Sequence, residues 1–258
     1  MKIVVLVKEV PDTFGDRKLD LETGLADRAA SGPVLDEIGE RALEVALSHA
    51  DKNPGTEVVV VSMAREGSAA TIRKGLAMGA ASAVQVTDEG LLGADLGLTA
   101  EVLAAAVKVT GFDLVIAGNL STDGSGGVLP AMLAELLDVP AATSLNSVEI
   151  SDGLVSGERA SDGATMRVTA ELPAVISVTE RLPDARFPNF KGIMAAKKKP
   201  FETLSLADLD IDPEDPGAAR SIMIGVAEKP PRQAGVKISD EGDAGEQLAE
   251  FLMTNRLV

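Results

Sequence analysis

Four short, nearly unbroken apolar runs constrain what this chain can fold into: Ile3-Val4-Val5-Leu6-Val7, Glu57-Val58-Val59-Val60-Val61-Ser62, residues 82–87, and Asp113-Leu114-Val115-Ile116-Ala117. A strand with one wet face alternates apolar and polar residues, whereas continuous runs of this length mark strands buried on both faces of a parallel sheet. The segments between them have helical period. In 36–50, Ile38, Ala42, Val45, Ala46 and His49 fall on one face, and Asp36 is placed to cap the first turn. Residues 66–78 and 95–109 repeat the pattern, and 127–137 carries Val128, Leu133, Leu136 and Leu137. Strands alternating with helices predict right-handed βαβ units and a doubly wound, mainly parallel, Rossmann-like α/β sheet. Ligands of such sheets sit beyond the carboxyl ends of the strands.

The pattern changes after Pro140. Residues 147–150, 154–159, 164–171 and 174–179 read as strands, with turns at Ser151-Asp152-Gly153 and Ser161-Asp162-Gly163. They predict an antiparallel set added to the main sheet. No regular element is assigned from Arg181 to Pro200. Beyond Asp210 the chain is loose and polar and ends in one amphipathic helix, about 241–254, built on Leu248, Phe251 and Leu252. The expected organisation is an α/β domain over 1–200 and a long C-terminal arm over 201–258.

Absent residue types exclude much chemistry. Without Cys there are no disulfides, thiolate nucleophiles or cysteine-held iron–sulfur clusters, and His49 is the only imidazole. Its place at the end of a helical pattern suits a structural or solvated role. A net charge of −16 argues against nucleic acid as a partner. No window nears the ~18 consecutive apolar residues of a membrane span, and the first run lacks the features of a secretory signal. The chain therefore reads as cytoplasmic, with no direct membrane insertion.

Two stretches carry functional information. After the fourth run comes Gly118-Asn119-Leu120-Ser121-Thr122-Asp123-Gly124-Ser125-Gly126-Gly127, then Val128-Leu129-Pro130 opening a helix. Glycines and hydroxyls before a helix N-terminus leave backbone N–H groups available to a phosphate, although a plain flexible β–α connection has the same composition. No Walker loop is present, and no G-x-G-x-x-G follows the first strand. The second stretch, from Glu180 to Pro200, has six basic and two acidic residues and includes Arg186, Phe187, Phe190, Lys191, Ile193 and Met194. A solvated basic loop accounts for its lysines. It does not account for its large apolar residues, which fit a transient docking surface for a partner.

Several motifs in order resemble the beta subunit of electron transfer flavoprotein. They are Val7-Lys8-Glu9-Val10-Pro11-Asp12, Ala42-Leu43-Glu44, Thr71-Ile72-Arg73-Lys74-Gly75-Leu76-Ala77-Met78-Gly79-Ala80 and Ser121-Thr122-Asp123-Gly124. Further along come Glu158-Arg159, Asp162-Gly163, Leu172-Pro173-Ala174-Val175-Ile176-Ser177-Val178 and Ile193-Met194-Ala195-Ala196-Lys197-Lys198-Lys199. The resemblance implies an adenine-nucleotide-binding fold and a heterodimer with an alpha subunit that holds most of one FAD. It implies an AMP in this chain, at Leu6, Asp36, Ile38, Gly39, Met63, Gly118, Asn119, Leu120, Ser121, Thr122, Asp123, Gly124, Ser125, Gly126, Gly127, Val128 and Leu129. Thr13 and Phe14 match the approach to the flavin ring, and Phe190 takes the place of an apolar anchor for dehydrogenases. Ala160 stands where an acid helps hold the mobile flavin domain, with Glu158 nearby.

The function so implied is electron relay from acyl-CoA and related dehydrogenases, as in fatty acid oxidation, to an acceptor such as a quinone reductase. The flavin does the redox chemistry, and this chain contributes no catalytic side chain. Two alternatives share the sheet: a stand-alone adenine-nucleotide sensor of the universal-stress type, and an electron-bifurcating form with a second FAD in place of AMP.

Overall fold

The computed structural model describes the whole chain except residues 16, 29, 233 and 236. It comprises two units, Met1–Gly225 and Val226–Val258. In chain order the first contains β1 (Lys2–Leu6), β2 (Glu9–Pro11), β3 (Pro33–Leu35), α1 (Glu37–Lys52), β4 (Glu57–Met63) and α2 (Ala69–Met78). It continues with β5 (Ser82–Val86), α3 (Leu96–Thr110), β6 (Leu114–Gly118), α4 (Leu129–Leu137), β7 (Ala141–Leu145) and β8 (Glu149–Ser151). Last come β9 (Leu154–Ser161), β10 (Ala164–Glu171), β11 (Ala174–Val178), α5 (Phe190–Ala196) and β12 (Phe201–Leu204). The second unit carries α6 (Ala244–Thr254), whose Leu248, Phe251 and Met253 are exposed.

Seven strands form one parallel sheet in the order β12-β5-β4-β1-β6-β11-β7. Alternate residues of β1 feed opposite layers. Ile3 and Val5 pack with Ala42, Leu43, Ile72 and Leu76 of α1 and α2. Val4 and Leu6 pack with Val102 and Leu103 of α3 and Leu133 of α4. Both faces are thus covered by helices, which is why the strand sequences are apolar throughout rather than alternating. Full burial of each Leu or Ile contributes roughly 1.5–3 kcal/mol.

The parallel core matches the sequence reading, and the region after Pro140 differs in detail. The segment predicted as the last antiparallel strand is β11, a parallel strand between β6 and β7 with all five residues buried. Its Ala-Val-Ile-Ser-Val run has the same doubly buried character as β1. β7 was not anticipated, because Ala-Ala-Thr-Ser-Leu has only two buried positions and no clear period. The antiparallel set is a separate three-stranded sheet, β10-β9-β8. α5 was also missed: it has seven residues and buries only Ala196. β12 pairs with β5, so the sheet draws its edge strand from beyond residue 200, in the segment read as the arm.

Between β1 and α1 the chain makes an excursion. β2 and β3 pair antiparallel and bracket a ribbon over 12–32, whose tip folds back through a Leu19–Ala26 bridge. The Asp20 carboxylate accepts the N–H groups of Glu22 and Thr23 at 2.9 and 2.8 Å and fixes the tip turn.

The small sheet is hooked to the end of β7. Asn146 N–H donates to Glu158 O at 2.6 Å, and a Cβ placed on Gly157 would lie 2.1 Å from Ser147 O. Gly157→Ala therefore forces β9 off residues 145–147. The expected outcome is a loss of about 1–3 kcal/mol, read as a lower Tm, with faster amide exchange concentrated in β8–β10.

Candidate functional site

Strand order reverses about β1, with β4 on one side and β6 on the other, and the crevice beyond their carboxyl ends is where ligands of such sheets bind. A cavity of about 1790 Å³ occupies this place. The end of β1 gives it Leu6, Val7 and Lys8; the end of β4 gives Met63 and Ala64; the end of β6 gives Ala117 and Gly118. Asp36 and Gly39 enter from the start of α1, and Asn119, Leu120, Ser121, Gly124, Gly126, Gly127 and Leu129 from the following loop.

The loop is held from outside. Asp36, 3% exposed, uses one carboxylate oxygen to accept Ile38 N–H at 3.1 Å, capping α1. The other accepts Thr122 N–H at 2.7 Å and the Thr122 hydroxyl at 3.1 Å. Gly118 is a requirement of this arrangement, because a Cβ there would lie 2.8 Å from Ile38 Cγ2. Asp123 accepts Lys8 Nζ at 2.7 Å, Arg28 Nη2 at 3.0 Å and Gly124 N–H at 2.7 Å, and Lys8 also donates to Ser121 Oγ at 3.3 Å. Burial alone would raise the Asp123 pKa, but hydrogen bonds from Lys8 and Ser121 and the charge of Lys8 hold it far below the usual carboxylate range.

These side chains shape a loop that retains donors. Among the described residues, the N–H groups of Gly126, Gly127 and Val128 make no hydrogen bond, and α4 begins at Leu129 without a side-chain cap. Buried Asn119 Oδ1 also has no partner. Unpaired N–H groups at a helix start, two glycines and two nearby cations fit a phosphate; apolar Leu6, Met63 and Leu129 fit an attached base.

Of the residues proposed from sequence for the nucleotide, Ile38, Thr122, Asp123, Ser125 and Val128 do not line the cavity. Ile38 is core, and Thr122 and Asp123 brace the loop from behind. The sequence reading gave no role to Lys8, Glu9, Arg28, Ser68 or Gln85, all of which line the cavity. Lys8 and Glu9 directly follow the first apolar run, a position that could have flagged them. Arg28 is 95 residues from its Asp123 partner, and no local signal connects them.

Thr13 and Phe14 stand on the ribbon outside the cavity, with Phe14 fully exposed. In the 181–200 stretch, Phe190, Ile193 and Met194 share one face of α5 by their spacing, and all are exposed, as are Phe187 and Lys191. The helix itself is bolted down. A Cβ on Gly192 would lie 2.3 Å from Ala77 O, Arg73 Nη1 donates to Ala196 O at 2.9 Å, and Lys199 Nζ donates to Leu76 O and Ala80 O at 2.9 and 2.6 Å.

Arg186, placed on the docking surface from sequence, is instead paired inward. Its Nε and Nη2 donate to the Glu44 carboxylate at 2.7 and 2.8 Å, and Nη2 also meets Asp51. Glu158 and Ala160 lie on β9 and are exposed. Among the described residues, no group of His, Cys, Asp and Glu is placed to hold a metal, and no helix is long and apolar enough to cross a membrane.

Fold and site together define a doubly wound α/β chain with a large cavity at its strand switch point. A model of the electron transfer flavoprotein domain matches residues 24–209. An electron transfer flavoprotein subunit beta of Mycobacterium tuberculosis is 44% identical over 263 residues, 99% of each chain. One from Bacillus subtilis is 32% identical over 253 residues, 98% of this chain and 96% of the relative. The caffeyl-CoA reductase-Etf complex subunit CarD of Acetobacterium woodii is 34% identical over 215 residues, 83% and 82%. The chain belongs to the electron transfer flavoprotein family, among its beta subunits. Membership makes it an electron-transfer protein associated with flavin chemistry, and the beta-subunit type implies an alpha-subunit partner.

The depressed Asp123 ties stability to pH. Its contribution is complete above the ordinary aspartate value of about 3.9 and is lost as pH falls toward the lowered folded-state value. Asp123→Asn should therefore lower Tm at neutral pH, and the gap to the wild-type chain should shrink below about pH 4. A gap independent of pH would show that the ion pairs do not hold the loop.

Proposed function

We propose that this chain is the nucleotide-stabilised half of a cytoplasmic heterodimer in which the alpha subunit holds most of an FAD. The pair carries electrons from acyl-CoA and related dehydrogenases to an acceptor such as a quinone reductase. The carrying observation is the cavity at the strand ends lined by Gly126 and Gly127 with unpaired N–H groups, which fits a bound AMP. In this reading, Gly126 and Gly127, whose unpaired N–H groups line the cavity, donate to the phosphate. Leu6, Gly39 and Met63 border the remainder of the nucleotide, while Asp36 and Asp123 act only through the loop they hold. The AMP supplies structure rather than chemistry, because a ligand bound only to the folded form stabilises it by mass action. The flavin supplies the redox step. This chain contributes no catalytic residue and offers Thr13 and Phe14 on the ribbon toward the flavin ring.

A second reading has one observation in its favour. About 1790 Å³ is more than the roughly 300–1,000 Å³ of a typical small-ligand site, which suits a second FAD as in a bifurcating form. A stand-alone nucleotide sensor, by contrast, has no use for an exposed apolar face on α5. Co-expression with an alpha subunit, followed by cofactor extraction and counting, separates all three. One FAD and one AMP per heterodimer is the expected result. Two FAD would establish the bifurcating form, and no stable heterodimer would favour the sensor. The chain purified alone should carry little FAD.

Phe190 is the proposed anchor for the dehydrogenase, since it is 80% exposed on a helix whose backbone is fixed. Phe190→Ala should raise the apparent KM for this carrier in a dehydrogenase assay by about tenfold. FAD content, AMP content and Tm should stay at wild-type values. Lys191→Glu should mainly slow association and alter its salt dependence. Unchanged kinetics in Phe190→Ala would move the docking site elsewhere.

A further inference from the structure

The 12–32 ribbon forms one wall of the cavity and is clasped at two separated places. Lys18, Leu19, Thr23, Leu25 and Arg28 all line the cavity. Near its return to the body, Arg28 Nη2 donates to Asp123 at 3.0 Å, and Nη1 reaches Glu9 O at 3.4 Å. Asp123 is the residue that braces the loop bearing the unpaired N–H groups, and its side chain is only 7% exposed. At the tip, a Cβ on Gly93 would lie 3.4 Å from Leu25 Cδ2, and one on Gly24 would lie 1.9 Å from the Met223 methyl. Gly24 has φ +64°, a conformation that favours glycine, and the Met223 methyl fills the space where a side chain would stand.

The chain just before Met223 is tied to α3. Ser221 N–H donates to Asp95 Oδ2 at 2.6 Å, and Arg220 Nη2 to Glu101 Oε2 at 2.6 Å, which straps residues 220 and 221 across the start of α3, two residues before Met223. The ribbon thus lies across the cavity from the phosphate loop to α3. At its base stands the β2–β3 pair, of three residues each.

We infer that the 12–32 ribbon is a closing element over the nucleotide, clasped to the phosphate loop through Arg28–Asp123 and to α3 through the contact of Met223 with Gly24. This rests on the AMP site proposed above. It adds that exchange of the nucleotide is set by release of the two clasps. The Met223 clasp is apolar and carries no charge, so its effect is separable from attraction of the phosphate. An opening element gates entry and exit together, whereas a counter-charge affects affinity.

The test uses the full chain with radiolabelled AMP, measuring association directly and dissociation by chase with unlabelled AMP. Met223→Ala is expected to raise both rates about fivefold and to leave Kd within about threefold of wild type. Arg28→Ala is expected to raise the dissociation rate about tenfold or more, with Arg28→Lys in between. Wild-type rates in Met223→Ala would overturn the closing role, even if Arg28→Ala alone lost affinity through slower association; that pattern would leave Arg28 as a counter-charge only. If Arg28→Ala fails to fold, Met223→Ala decides the matter. A wild-type chain that binds no AMP would remove the site assignment and this inference together, whereas a tight-binding wild type with unaltered variants would remove this inference alone.

Discussion

One buried carboxylate sets the geometry on which the site depends. Asp36 is almost wholly removed from water, and a charge so placed persists only if its oxygens are paired. One oxygen fixes where α1 starts and the other fixes Thr122. Because α1 starts there, Ile38 meets the end of β6, and only a glycine fits at 118. Because Thr122 is fixed there, the loop leaves β6 in a path that carries its glycines to the head of α4. Asp123 repeats the device from the other side with Lys8 and Arg28. Two aspartates thereby bind the loop by its back and leave its later N–H groups unpaired. The negative charge that would oppose a phosphate is neutralised by helix and loop donors at one aspartate and by two cations at the other.

What could be read from sequence follows the range over which each signal acts. β1, β4, β5 and β6 were legible because burial on both faces writes itself into consecutive residues, and α1 because Asp36 and a regular apolar face mark it. β11 has the same signature, but its position beside two hairpins suggested antiparallel company; pairing partner is a tertiary choice that the strand's own residues do not encode. α5 was hidden because a seven-residue helix that buries one side chain has no measurable period. The loop after β6 was legible as glycines before a helix, yet the residues that set its shape were not. Arg28 and Lys8 lie 95 and 115 residues from Asp123, so nothing local announces them.

In the basic stretch before Pro200, the charged residues divide between structural pairing and the surface. Arg186 faces Glu44 and Asp51, and Lys199 tops the carbonyls ending α2. Burial lowers the Lys199 pKa, as suits an ammonium taken up by carbonyl oxygens rather than presented to solvent. What remains outside is Phe187, Phe190, Ile193 and Met194 with Lys191, Lys197 and Lys198. An apolar face of this kind invites self-association unless something opposes it. Here the chain's net charge of −16 supplies long-range repulsion between copies, while the local lysines favour an acidic partner.

That division bears on how a nucleotide, bound as proposed, would act in a chain that does not transform it. α5 is tied to α2 through Arg73, and α2 packs on the same sheet face as α1, whose first turn is set by Asp36. The loop tied to Asp36 is the one that presents donors to the cavity. Ligand free energy gained at that loop therefore stabilises the start of α1 and, through Leu43, Leu76 and the shared layer of core, the support of α5. No moving pathway is needed for this, since the elements share one packed layer and stand or fall together. A nucleotide bound there as proposed would act as a removable piece of core, strengthening the scaffold under α5 and leaving electron chemistry to the flavin.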